Sequence, residues 1–322
     1  MITTALLNGL LLVGLCIPGF LLQKFAKFPD QGKKALALIL SYVAQPAISL
    51  YSFQINKYTP EMLPNIGFVA LFAVVSMFLS LGVGRIVFRK GFRKNAEEKE
   101  RNVKRTLAIT TAFCNCGFMG IPFLKMLLPD NPEVLLYTAI YMVFFNAMTW
   151  TIGIYMMTGE KKYINLKQIL LNPPTLVLVV ALPLFFTNTV LPSTLFLFVE
   201  HCQNLAAPIS MVLMGTYLAG ISFRELFTDG KTYLTCFLKL IVAPIIMFIV
   251  AYPFIGVVGS TLILACFVIA CMPSATSNMY MNDMFGSKEG SVSAVKGVLM
   301  STLLSILSVP FMIFLFGLII PI

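Results

Sequence analysis

Phe113-Cys-Asn-Cys-Gly-Phe-Met-Gly-Ile-Pro122 interrupts an apolar run that would otherwise read as one continuous helix. Proline removes a backbone donor and clashes with the preceding turn. Gly117 and Gly120 let the backbone leave the helix and let another segment come close. A second stretch of the same kind, Cys271-Met-Pro-Ser-Ala-Thr-Ser-Asn278, interrupts a later apolar run. There Ser274, Thr276, Ser277 and Asn278 can satisfy the freed backbone groups or cap a restarted half-helix. Unwound backbone is tolerated at membrane depth only where protein buries it or where it lines a cavity. The meaning of both stretches therefore turns on whether the runs around them span a membrane.

Composition says that they do. The chain has 322 residues, of which 58% are hydrophobic and 11% charged, with a mean hydropathy of +0.90. Soluble domains carry roughly a quarter charged residues. A span takes about 20 apolar residues, and predicted spans fall at 3–22, 34–54, 65–88, 105–128, 134–157, 171–188, 193–221, 232–254, 258–284 and 290–320. The sixth is the shortest and carries Pro173, Pro174 and Pro183. The first has no basic residue ahead of it and is long enough to span, so it reads as a helix and not as a cleaved leader.

The net charge of +10 sits in the short loops between these runs. Lys24, Lys27, Lys33 and Lys34 follow the first span, and a dense basic run extends from Arg85 to Arg105. Lys161, Lys162 and Lys167, then Arg224 and Lys231, then Lys288 fill the alternate loops. Of the 23 Lys and Arg residues, Lys57 alone lies in a loop on the other side, while Lys125, Lys239 and Lys296 fall inside predicted spans. Cytoplasmic loops collect Lys and Arg. The alternation predicts ten crossings of the cell membrane, inner or plasma, with both termini outside the cytoplasm. Nothing in this pattern suits nucleic acid, which calls for a basic face on a recognition element.

The seven cysteines all fall inside apolar runs and read as small buried hydrophobes, not a disulfide frame. Cys114-x-Cys116 is too close-set for a zinc pair and has no second pair. No metal site and no cofactor is expected; a coupling ion, proton or sodium, is left open. An enzyme reading would need a constellation such as His-Glu-x-x-His, and the chain has one histidine.

The two halves echo each other. The second span reads LSYVAQPAISLYSF and the seventh CQNLAAPISMVLMG, so small residues precede a Pro-(x)-Ile-Ser at Pro46 and at Pro208. The interval from Pro46 to Pro122 exceeds that from Pro208 to Pro273 by close to the length of the basic loop 89–105. Residues 1–165 and 166–322 thus read as two copies of five spans, and an odd number inverts the second copy. Inverted repeats with interrupted helices in matching positions point to a transporter's binding site. If the breaks meet, two half-helix N-termini face one small volume with unpaired N–H groups and partial positive charge. That is an anion site that needs no arginine. The substrate-binding residues it implies are Asn115, Gly117, Gly120, Pro122, Pro273, Ser274, Thr276, Ser277 and Asn278.

Asn115-x-x-x-Met119-Gly-Ile-Pro122-x-Leu-Lys125 resembles the fourth-span signature of the auxin efflux carrier family. Met272-Pro-Ser-Ala-Thr-Ser-Asn278 resembles the ninth-span signature of its bacterial members, and Lys239-Leu-Ile-Val-Ala-Pro244 and Ser301-Thr-Leu-Leu-Ser305 are weaker echoes. The resemblance covers the whole chain in order. It implies an all-α integral membrane fold similar to the bile acid/sodium symporter fold: ten transmembrane helices in two inverted five-helix repeats, with broken helices 4 and 9 crossing at their prolines. It also implies a scaffold from helices 1, 2, 6 and 7 that forms a homodimer, and a transport domain from helices 3–5 and 8–10 that moves as an elevator. By the same resemblance, Asn115 and Asn146 hold a substrate carboxylate. The family's plant PIN-FORMED carriers have a long hydrophilic loop between the fifth and sixth helices. Here the loop is only about 158–170. The resemblance is therefore to the compact bacterial type, which favours malonate, malate or oxalate over auxin.

Other polar residues inside spans are accessory candidates. Lys125 follows Pro122 and can add positive charge beside the anion site or reach the outer surface. Gln45 and Tyr42 precede Pro46 and can face the substrate from the second span. Glu200, His201 and Asp283 are the candidates for ion coupling, since intramembrane ionisable groups are costly unless used. Lys239 and Lys296 lie near the cytoplasmic end of their spans, where snorkelling is expected. The expected partners are a small organic anion, membrane lipid and a second copy of the chain. The alternatives are an anion channel, although no filter motif is present, or a carrier-like sensor.

Overall fold

A computed structural model of the chain describes residues 2–93, 95–160, 162 and 173–320. Lys94, Lys161 and Lys167, three of the predicted cytoplasmic charges, lie outside the described residues. Among the described residues every regular element is helical, apart from one isolated antiparallel bridge between Cys114 and Ser274.

Among the described residues seven helices are long and apolar enough to cross a membrane: α1 (Ile2–Ala26), α2 (Asp30–Gln54), α3 (Pro60–Val87), α6 (Glu133–Thr158), α8 (Ser193–Ala219), α10 (Gly230–Val258) and α13 (Lys288–Ile319). The predicted fourth span is two helices, α4 (Glu98–Ala112) and α5 (Cys116–Leu127). The ninth is likewise two, α11 (Ser260–Cys271) and α12 (Ser277–Phe285). In the sixth, a single turn at Pro173–Leu176 leads into α7 (Leu178–Phe186), which has Pro183 inside it. A short helix, α9 (Phe223–Thr228), joins α8 to α10.

Proline sets three of the irregular turns, whereas the one at Thr149–Gly153 forms without it. Leu40–Ala44, Cys116–Gly120 and Leu238–Val242 are each five-residue wide turns of the π type. Pro46, Pro122 and Pro244 each stand second in the α-helical segment that follows. A proline cannot donate to the carbonyl four residues back and its ring collides with it, so the ladder widens by one residue just ahead of the ring. At Pro273 the outcome is a full break. Met272 is extended (φ −59°, ψ 145°), as the residue before a proline prefers.

Helix packing follows the apolar faces. Helix α1 crosses α8 with backbone nearly touching backbone: a Cβ on Gly19 would lie 1.9 Å from the Val212 carbonyl oxygen, and one on Gly215 2.0 Å from that of Cys16. Only glycine fits at these two positions, and small residues let membrane helices approach this closely. Helix α2 packs on α7 and α8. Helix α3 packs on α4 and α6, while α13 packs on α4, α10, α11, α12 and the first half of α1. Large apolar side chains such as Phe25, Ile86, Val179 and Leu307 are left exposed on the outer helix faces, the arrangement expected of a body surrounded by lipid.

Candidate functional site

The two breaks meet. The backbone N–H of Asn115 donates to the Pro273 carbonyl at 2.8 Å, and that of Ala275 donates to the Phe113 carbonyl at 2.9 Å. These two bonds make the Cys114–Ser274 bridge. The peptide groups freed by each interruption are thus satisfied by the other, as buried backbone requires. Asn115 adds a side-chain bond across the crossing, Nδ2 donating to Thr276 Oγ1 at 3.0 Å. Ser274 turns the other way. Its Oγ donates to the Thr110 carbonyl at 2.7 Å, and its N–H donates to Ser301 Oγ at 3.1 Å.

Helices α5 and α12 restart from this crossing, and at α12 the amides of Asn278 and Met279 turn back onto the Ala275 and Thr276 carbonyls at 3.0 and 3.1 Å. The amide of Gly120 folds back onto the Asn115 carbonyl at 2.9 Å and closes the wide turn ahead of Pro122. A small cavity of about 10 Å³ adjoins the crossing, lined by Gln45, Asn115, Gly117, Phe118, Phe145 and Ser277 among others. That volume holds about one water molecule. Gly117 keeps it open towards α6, since a Cβ there would lie 2.8 Å from the Met142 methyl.

Gln45 of α2 and Asn146 of α6 meet at the same place, Gln45 Nε2 donating to Asn146 Oδ1 at 3.2 Å. Both are buried, as are Asn115 (3% exposed), Ser277 and Asn278. Ser277 Oγ and both amide atoms of Asn278 have no hydrogen-bond partner. Buried polar atoms are nearly always paired, which makes the unpaired Ser277 hydroxyl in the cavity wall a candidate contact for a polar ligand. Below them Asn282 donates to the Asn278 carbonyl at 2.7 Å and accepts from Thr106 at 3.2 Å, tying α12 to α4.

The predicted residues therefore divide. Asn115, Gly117, Ser277 and Gln45 line the cavity, Asn146 and Thr276 bond to its lining residues, and Asn278 is buried with its amide free. Gly120, Pro122 and Pro273 shape the backbone, and Ser274 locks the crossing from behind. Tyr42 does not line the cavity: it is 58% exposed on the outer face of α2, because the wide turn at Leu40–Ala44 rotates it away from Gln45. Lys125 is exposed, with its ammonium 5.8 Å from the centre of the Tyr51 ring. His201 is exposed and Glu200 half-buried near Tyr51, neither of them lining the cavity. Asp283 sits at the end of α12 and accepts from the hydroxyls of Tyr217 and Ser291.

Lys296 pairs with Glu225 of α9 at 3.5 Å. Lys239 corrects the expectation of snorkelling: it is 2% exposed, and Nζ donates to the Ala270 carbonyl at 3.1 Å. Its span is packed against α11, so the side chain runs inward. Thr110 and Phe145 were not legible as site residues, since a threonine and a phenylalanine in an apolar run carry no mark of a partner far off in sequence. Ser301 stood in a motif echo without a role attached.

A multi-pass helical body whose two broken helices cross at a buried polar cavity defines a membrane transport protein. A family model described as "Membrane transport protein" matches residues 4–169, just over half of the chain. The chain belongs to that family, the family of the auxin efflux carriers. Residues 205–320 are in turn similar to the model described as "Sodium Bile acid symporter family". A comparison with curated proteins returned no match.

Proposed function

We propose that the chain is a secondary transporter, not an enzyme, that carries a small organic anion across the cell membrane by elevator-type alternating access. The observation that carries this reading is the crossing: two helix starts, Asn115 and the unpaired Ser277 hydroxyl meet at one buried cavity, and the buried side-chain amide of the adjoining Asn278 is unpaired as well. Donors without partners and positive helix ends suit a carboxylate, and they do so with no fixed basic residue in the cavity wall. Malonate, malate and related short acids are favoured over an auxin-like aromatic acid by the short loop at 158–170, which resembles that of the compact bacterial carriers.

Ten crossings follow if α4–α5, α11–α12 and the segment around α7 each count as one span. The bridge at the crossing is antiparallel, so the two broken spans run in opposite directions, as an inverted repeat requires. The two family models fall on either side of residues 170–204, which supports repeats at 1–165 and 166–322. Packing of α1 on α8 and of α2 on α7 and α8 supports a scaffold of helices 1, 2, 6 and 7, with a homodimer formed through it. The remaining spans form the moving part.

The cavity is too small for any carboxylate, as suits a carrier caught between its two openings. The contacts that link the proposed scaffold to the moving part include Tyr217 to Asp283 on the predicted cytoplasmic side and Tyr51 to Lys125 on the other. Both termini are placed outside the cytoplasm by the loop charges. A coupling ion, proton or sodium, belongs to the same proposal.

The test is a thermal-shift screen of the purified protein against short mono- and dicarboxylates. At least one is expected to raise the melting temperature of the wild type in a saturable way. A flat response to every acid would remove the anion site.

A further inference from the structure

The crossing has two negative ends as well as two positive ones. Helices α4 and α11 both terminate there, and the last carbonyls of each lack intrahelical partners. The two ends are closed by different chemistry. At α4 the Thr110 carbonyl accepts from the Ser274 hydroxyl and the Phe113 carbonyl from the Ala275 amide, both neutral donors. At α11 the Ala270 carbonyl accepts from the ammonium of Lys239. Lys239 is buried, only 2% exposed. Among the described residues no carboxylate pairs with it; the ionisable groups facing it are the thiols of Cys114, Cys116 and Cys271. Cys114 and Cys116 also line the cavity at the crossing, so the charge of Lys239 stands just behind the cavity wall.

A buried cation without a counter-charge is costly. One that also sits on a helix C-terminus, next to a cavity built for an anion, has two sources of compensation: the helix dipole at all times and the substrate when it is bound. We propose that Lys239 is a tethered cation that occupies the carbonyl end of α11, so that the protein needs no free alkali cation there to hold its anion. Lys239 then offsets one negative charge of the anion as the two move together in the transport domain. This inference deepens the anion-carrier reading and rests on it for the substrate half of the test only.

The first arm needs no substrate. Melting temperatures of the wild type and of Lys239→Ala are measured in chloride salts of N-methylglucamine, lithium, sodium, potassium and n-propylammonium at equal ionic strength. Propylammonium is the fragment that the alanine variant lacks. The wild type is expected to respond equally to all five. The variant is expected to melt lower and to regain stability with propylammonium or sodium. Stabilisation of the wild type by sodium, or a variant that folds and is indifferent to every cation, overturns the proposal.

The second arm uses Lys239→Met, which fills the same volume without charge, and Lys239→Arg, and it decides the matter if the alanine variant does not fold. With malonate as probe, the methionine variant is expected to bind about tenfold more weakly, and the arginine variant to bind more tightly than the methionine variant. Methionine binding as well as wild type overturns the proposal. If the wild type itself ignores malonate, the anion reading fails, while the cation arm still judges Lys239 on its own.

Discussion

Asn115 is where most of the site's chemistry converges. Its backbone amide makes the bridge to Pro273, its carbonyl closes the turn to Gly120, and its side chain reaches Thr276. Replacement by alanine keeps the two backbone bonds and removes only the side-chain amide. Asn115→Ala is therefore expected to fold, with a melting temperature near that of wild type, and to bind carboxylate about 10- to 100-fold more weakly, the usual worth of a hydrogen bond to a charged group. Thermal shift against malonate reads both quantities at once. Asn278→Ala is the complementary case. Its amide has no partner to lose, so the free protein is expected to be unharmed or slightly stabilised while malonate binding weakens. A melting temperature that falls instead would show that Asn278 is held by a contact within the protein.

Much of this was written in the sequence at the residue scale, because an asparagine or serine beside a proline inside an apolar run is conspicuous. Tyr42 and Lys239 were not readable. The orientation of Tyr42 depends on how far the wide turn ahead of Pro46 shifts the helix register, and the burial of Lys239 depends on α11 lying against α10. Neither fact has a one-dimensional pattern.

At the scale of elements, the breaks at Pro122 and Pro273 were legible because proline acts locally. Their pairing was not, since the bonds between residues 113–115 and 273–275 join segments from opposite halves of the chain. Pro273→Ala tests what the break does. Alanine permits α11 and α12 to close into one helix, which would pull Ala275 away from Phe113. Transport is expected to fall sharply while the protein stays membrane-inserted, and an unchanged rate would mean that the interruption is dispensable.

The crossing of α1 and α8 makes a second prediction. A side chain at Gly215 would have to displace the Cys16 carbonyl, so Gly215→Leu is expected to cost about 2 kcal/mol or more and to lower the melting temperature. Gly67, with nothing within 4 Å of an added Cβ, is the control: Gly67→Ala is expected to leave melting unchanged. The small-residue spacing that permits this contact was present in the sequence, but glycine in an apolar run has too many uses to name its neighbour.

For the whole molecule, the composition and the loop charges were enough to read a polytopic membrane protein. The sixth span is the place where the reading was thinnest, and α7 is correspondingly short. The proposed domain motion belongs to the assembled body. Tyr217 of α8 touches Asp283 of α12, a contact between the proposed scaffold and the proposed moving part. Cysteines placed at 217 and 283, in a background without the partly exposed Cys202, can be joined by a bifunctional thiol reagent about 10 Å long, within reach of two side chains that now touch. Joining them is expected to stop transport and cleaving the reagent to restore it. Full activity in the joined protein would rule out relative motion of those two helices.

The central claim, that the crossing of the two broken helices is the substrate site of an anion carrier, is tested most directly by uptake of radiolabelled malonate into proteoliposomes. The account predicts saturable uptake by the wild type, faster when unlabelled malonate is trapped inside, and lost in Asn115→Ala. Uptake that rises linearly with concentration, ignores internal malonate and persists in that variant would contradict it.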